Sequence, residues 1–208
     1  MYLIKFMFTI CVLFSLPTTT DCQYDDPNCW YDDFIYTQLT CTNVTDFPKL
    51  KPGSDVQNVE IVKFEGGDIT TIYNDSLPSG IIYLLFDGHP LINISADAFQ
   101  ASVNTLKQLY ITGAKFTSLP TALLSLNKLT NLTLADTPIQ YWNSTILEHI
   151  AITLRYISFR NVGLIQWPSW FSYFHSLFAI YITRNTLTSI PEDAFNSSQD
   201  TLERISFE

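Results

Sequence analysis

From Val59 onward the apolar residues fall into one recurring frame. An apolar start is followed three positions later by a second apolar residue and two positions after that by a third; then come two variable residues and a slot. The frame opens at Val59, Ile81, Leu106, Leu129, Leu154, Leu177 and Leu202. Its inner pairs are Val62/Phe64, Leu84/Phe86, Leu109/Ile111, Leu132/Leu134, Ile157/Phe159, Ile180/Ile182 and Ile205/Phe207, and successive starts lie 22 to 25 residues apart. Period-two alternation predicts a short strand in each unit, with Leu132 and Leu134 inward and Thr133 and Ala135 outward. One unit cannot bury its own apolar side chains, so the units must stack, and the strands join into a parallel sheet along a solenoid.

Frame and period resemble the leucine-rich repeats of extracellular proteins, whose units run roughly 20–29 residues. The resemblance covers about Cys22 to Glu208. It implies an α/β repeat solenoid, a leucine-rich-repeat horseshoe with a parallel concave β-sheet and an irregular or short-helical convex side. The expected organisation is a signal peptide at 1–20, a cysteine-containing cap at 21–55 and about seven repeats over 56–208, the last incomplete. From Ile81 onward alternate starts are 48 residues apart, so a paired unit is expected. One member ends in Ala98-Phe99 or Ala194-Phe195, with Ile146-Leu147 midway between, and the other begins with Leu119-Pro120 or Trp167-Pro168. The slot, usually Asn, reads Gly67, His89, Ala114, Thr137, Val162 and Asn185. Only Asn185 fits the pattern, so irregular turns are expected.

The N-terminus has Lys5 ahead of an apolar run from Phe6 to Leu16, then Pro17 and small residues to Thr20. That reads as a secretory leader, too short for the roughly 17–25 residues of a membrane span. Leu164 to Ile182 is uncharged and long enough, but Gln166, Pro168, Ser169, Ser172, His175 and Ser176 interrupt it, and Leu177, Ile180 and Ile182 are frame positions. No membrane span is expected. Formal charge is −9, becoming −10 without Lys5, and no Lys/Arg cluster offsets it, which argues against nucleic acid. Asp25, Asp26, Asp32 and Asp33 read as a solvated cap surface rather than a metal site. Six glycosylation sequons begin at Asn43, Asn74, Asn93, Asn131, Asn143 and Asn196. With the leader they place the expected protein in the extracellular space.

Cys11 lies in the leader, leaving Cys22, Cys29 and Cys41, and three cysteines cannot all pair. Cys22, Cys29 and Cys41-Thr42-Asn43 with Phe47-Pro48 resemble the N-terminal cysteine cap of extracellular leucine-rich-repeat proteins, in which a further cysteine would stand near Tyr31. The resemblance implies a Cys29–Cys41 disulfide and leaves Cys22 free, capped or intermolecular.

Outward positions carry Glu65, Asp68 and Asp87 early and Arg160, Arg184 and Arg204 late, with tyrosines among them. Tyr83, Tyr110, Tyr156, Arg160, Tyr181 and Arg184 are the candidate partner-binding residues, since Tyr and Arg are enriched at binding hot spots. A half-exposed strand also favours tyrosine for its own sake. Asn131 is outward too, and a glycan there would obstruct the face. The aromatic segment Trp167, Trp170, Phe171, Tyr173 and Phe174 aligns with Leu119, Ala122, Leu123, Ser125 and Leu126; core is the main expectation, an exposed patch the lesser one. No nucleophile elbow, HExxH motif or phosphate-cradling loop is present, and His89, His149 and His175 stand alone. Neither enzyme activity nor a cofactor or metal is expected. The sequence stops within the seventh strand, so a fragment, a truncated product or a chain completed by self-association through an uncapped end is expected. The slots, paired units and ISADAF/IPEDAF anchors are similar to arthropod secreted proteins related to the non-catalytic subunit of decapod shrimp luciferase (Oplophorus-luciferin 2-monooxygenase). That resemblance implies an accessory subunit; the rival is a receptor or adhesion ectodomain.

Overall fold

The computed structural model describes residues 23–33, 35–54, 56 and 58–207. The expected leader and Cys22 lie outside these residues. The first strands form the cap: β1 (Cys29–Asp32) runs antiparallel to β2 (Gln38–Val44), with Cys29 opposite Cys41 and joined to it by a disulfide. β2 then starts a parallel ladder through β3 (Ile61–Gly67), β5 (Tyr83–Asp87), β7 (Gln108–Thr112), β8 (Asn131–Ala135), β9 (Tyr156–Arg160), β10 (Ala179–Thr183) and β11 (Arg204–Phe207). A second, two-stranded parallel ladder pairs β4 (Thr71–Ile72) with β6 (Asn93–Ile94) on the flank.

Frame residues set the register. Val62, Leu84, Leu109, Leu132, Ile157 and Ile180 stand side by side across the ladder, as do Phe64, Phe86, Ile111, Leu134, Phe159 and Ile182, and all are buried. Each contributes roughly 1.5–3 kcal/mol by leaving water, and only its neighbours in adjacent repeats make that burial available.

The convex side alternates as the 48-residue spacing predicts. Short 3-10 turns at Thr121–Ser125 and Ser169–Tyr173 lie 48 residues apart, each entered from an extended proline, Pro120 or Pro168. The intervening type has a 3-10 turn at Gln100–Ser102, the helix α1 at Ser144–Ala151 and a 3-10 turn at Asn196–Ser198. Its three copies share one closure: the N–H groups of Leu106, Leu154 and Leu202 donate to the carbonyls of Ser102, Ile150 and Ser198. No helix among the described residues is long and apolar enough to cross a membrane. The rejected span passes instead through the Ser169–Tyr173 turn into β10. Its rings serve the core: Trp170, Phe171 and Phe174 are buried and Trp167 and Tyr173 half-buried, so the exposed-patch expectation gives way to packing.

Every strand of the main ladder from β2 to β10 ends in a left-handed residue, at Asn43, Gly66, Gly88, Gly113, Asp136, Asn161 and Arg184 (φ between 50 and 74°). Glycine, Asn and Asp tolerate this region at little steric cost; Arg184 is the exception. The next residue is the slot. At Gly67 a Cβ would stand 2.1 Å from the Val44 carbonyl oxygen, so no side chain fits. Asn185 accepts from the N–H groups of Val162 and Leu164 at 3.1 and 3.2 Å and donates to the carbonyls of Phe159 and Thr183 at 2.8 and 2.9 Å.

One slot expectation needs correcting. His89 also does this work: its fully buried Nδ1 accepts from the Ile69 N–H at 3.2 Å, while Phe64 and Phe86 meet the ring edge-on. Thr137, buried as well, donates to the Ala135 carbonyl at 3.0 Å.

Candidate binding face

The outward side chains form three rows across the ladder, about 4.8 Å apart from strand to strand. The first row runs Gln38, Ile61, Tyr83, Gln108, Asn131, Tyr156, Ala179 and Arg204. The second is Thr40, Lys63, Leu85, Tyr110, Thr133, Ser158, Tyr181 and Ser206, and the third is Thr42, Glu65, Asp87, Thr112, Ala135, Arg160 and Thr183. All four candidate tyrosines therefore share one face.

Tyr83, Tyr110 and Tyr156 build two platforms, while Tyr181 stands apart in the second row. Tyr83 and Tyr110, diagonal neighbours on β5 and β7, have ring centroids 5.5 Å apart. Burial first, then Tyr110 and Glu65, raise the Tyr83 phenol above its ordinary range, so it stays a neutral donor at physiological pH. The second platform joins Tyr156 to Phe178 at 5.4 Å, and the Arg204 guanidinium lies 5.5 Å from the Phe178 ring centroid. Phe178 escaped the sequence reading because it sits beside the frame start, one position before β10; among the equivalents Glu60, Ile82, Lys107, Thr130, Arg155 and Glu203 it alone is aromatic. Asn131 separates the platforms, half-buried, its Oδ1 accepting from the Thr130 hydroxyl at 2.8 Å.

The expected charge gradient is weaker than the sequence implied. Arg160 forms an ion pair with Asp136, whose other oxygen accepts from Asn161 at 2.9 Å. Asp87 accepts from the Thr112 hydroxyl, and Lys63 sits on the acidic strand two residues from Glu65. Asp68 and Arg184 lie in turns beyond the strands, off the rows. Ala135, read as facing out, is buried, flanked by its ladder partners Thr112 and Arg160. The face is thus largely neutral, aromatic and amide-bearing. Among the described residues no group of three His, Cys, Asp or Glu is placed to hold a metal ion.

No protein-family model matches the chain. The zebrafish (Danio rerio) protein named transforming growth factor beta activator LRRC33 is 29% identical to it over 92 residues, which span 44% of this chain and 13% of that protein. The crystal structure of human 5T4 (Wnt-activated inhibitory factor 1, trophoblast glycoprotein) superposes with a TM-score of 0.62 at 17% identity, covering 90% of this chain and 80% of its own. Ladder, slots and likeness together make this chain a leucine-rich-repeat solenoid.

Proposed function

We propose that this chain is a secreted, non-enzymatic protein-binding module whose concave face receives a protein partner. The observation that carries the reading is the pair of aromatic platforms, Tyr83 with Tyr110 and Tyr156 with Phe178 and Arg204, left partly open on the sheet. Such rings offer apolar area together with directed hydrogen bonds, the combination that dominates interface energetics. The similar zebrafish protein is by its name an activator of a growth factor, itself a protein, which agrees with a protein ligand. The Cys29–Cys41 disulfide agrees with an oxidising compartment. An accessory subunit of an extracellular enzyme is the narrower form of this reading, and a receptor ectodomain is its rival.

Recovery of the tagged chain from native extracellular fluid, followed by mass spectrometry of stoichiometric companions, tests it. One companion enzyme supports the accessory subunit, membrane proteins alone favour the ectodomain, and recovery with no companion at all contradicts a binding module. Docking on the concave face also predicts an unmodified Asn131; glycopeptide mass spectrometry showing it fully occupied would move binding to an edge.

A further inference from the structure

The flank that carries β4 and β6 holds a different kind of surface. Counting from the slots Gly67 to Val162, the third to seventh residues of five successive repeats occupy it: 70–74, 92–96, 117–121, 140–144 and 165–169; the window after Asn185, 188–192, exposes Ile190 less, at 41%, and holds no sequon. Four of these five windows present a large apolar side chain to solvent: Tyr73 at 61% exposure, Ile92 at 62%, Tyr141 at 69% and Ile165 at 65%. The ladder contacts stack the windows as neighbours, through Thr71 with Asn93 and Ser118 with Tyr141. A row of this kind on one flank is more than the scattered surface apolar residues of an ordinary domain and calls for a cover.

Three of these four windows also contain a sequon asparagine within two residues of the apolar side chain: Asn74 beside Tyr73, Asn93 beside Ile92, and Asn143 two residues after Tyr141. The middle window, with Thr117, Ser118 and Thr121, has neither an exposed large apolar residue nor a sequon. Ile165, the fourth, shares a groove with Trp142, so a chain rooted on Asn143 begins at that groove's edge. All three asparagines are exposed. At Asn143 the side-chain Oδ1 accepts from the Ile146 N–H at 3.3 Å to cap α1, and the amide nitrogen is left for another bond. Asn131, in contrast, is half-buried in the rows of the main sheet.

We infer that Asn74, Asn93 and Asn143 carry N-linked glycans that lie over Tyr73, Ile92, Tyr141 and Ile165 and shield this flank. The inference rests on the extracellular address proposed above but not on the concave face. Each linkage forms when the Asn Nδ2 attacks the anomeric carbon of a lipid-diphosphate-linked oligosaccharide. The new C–N bond replaces the C–O bond to the diphosphate, lipid diphosphate departs, and the amide proton passes to base. A hydrated sugar chain over these side chains removes apolar surface from water and keeps solenoids from associating flank to flank.

The test uses the full chain secreted from eukaryotic culture. Glycopeptide mass spectrometry is expected to find Asn74, Asn93 and Asn143 occupied. Enzymatic removal of the glycans from the folded protein then gives a several-fold rise in fluorescence of a dye for exposed apolar surface. A variant carrying Tyr73→Ser, Ile92→Ser, Tyr141→Ser and Ile165→Ser cancels that rise. Two or more unoccupied sites, or an unchanged dye signal after removal, would overturn the inference. Partner capture through the concave tyrosines is read separately, so either reading can fail alone.

Discussion

Two turns of this solenoid, at Asn185 and at His89, close the same backbone loop with different chemistry. The Asn185 amide accepts two N–H groups and donates to two carbonyls across adjacent repeats. His89 accepts one N–H with Nδ1, leaves its buried Nε2 without a protein partner, and makes up the difference with ring contacts to Phe64 and Phe86. The left-handed residue before each slot, Gly88 or Arg184, is the same in conformation. At these two turns the backbone and the presence of an acceptor are shared, while the side chain that supplies the acceptor differs. The choice places a titratable ring in the core at His89.

The largest effect that would break the comparison is at Asn185. Asn185→Ala removes four hydrogen bonds and strands two partly buried N–H groups; it should destabilise by about 3 kcal/mol in denaturant unfolding. His89→Ala loses one bond and the ring packing and should cost about 2 kcal/mol.

The pH dependence sharpens the contrast. Burial lowers the His89 pKa, with Asp68 and then Asp87 pulling it partly back. The folded state therefore binds fewer protons at this ring than the unfolded chain. The stabilisation is complete above the ordinary histidine range near about 6.5 and is lost as pH falls from there through the lowered value. Unfolding midpoints measured between neutral and mildly acidic pH should fall in the wild type and lose that part of the slope in His89→Asn. Smallest is Arg184→Gly, which relieves a left-handed non-glycine residue and should stabilise by about 0.5 kcal/mol in the same unfolding measurement.

The frame was legible because alternation and period act on the same residues: Leu132 and Leu134 had to face inward together, and the 48-residue spacing carried over to the Pro120 and Pro168 turns. The Cys29–Cys41 bond followed from resemblance, since spacing among three cysteines leaves the pairing open. His89 was missed because the slot was judged by amide identity, although an imidazole nitrogen accepts a hydrogen bond equally well. The Asp136–Arg160 pair, 24 residues apart, was invisible to a reading along single strands, since a repeat brings its partners from one period away. Phe178 lay outside the strand rows altogether, so only the fold could place it against Tyr156.

The central claim is that partner recognition belongs to the tyrosines of the concave face. The most direct measurement quantifies the companion captured from native extracellular fluid by wild type, by the double variants Tyr83→Ala/Tyr110→Ala and Tyr156→Ala/Tyr181→Ala, and by the flank variant Ile165→Ser. Loss of capture by about tenfold or more in each tyrosine pair, with the flank variant matching wild type, is the predicted result. Undiminished capture by both tyrosine pairs, in variants that unfold at the wild-type midpoint, would contradict it.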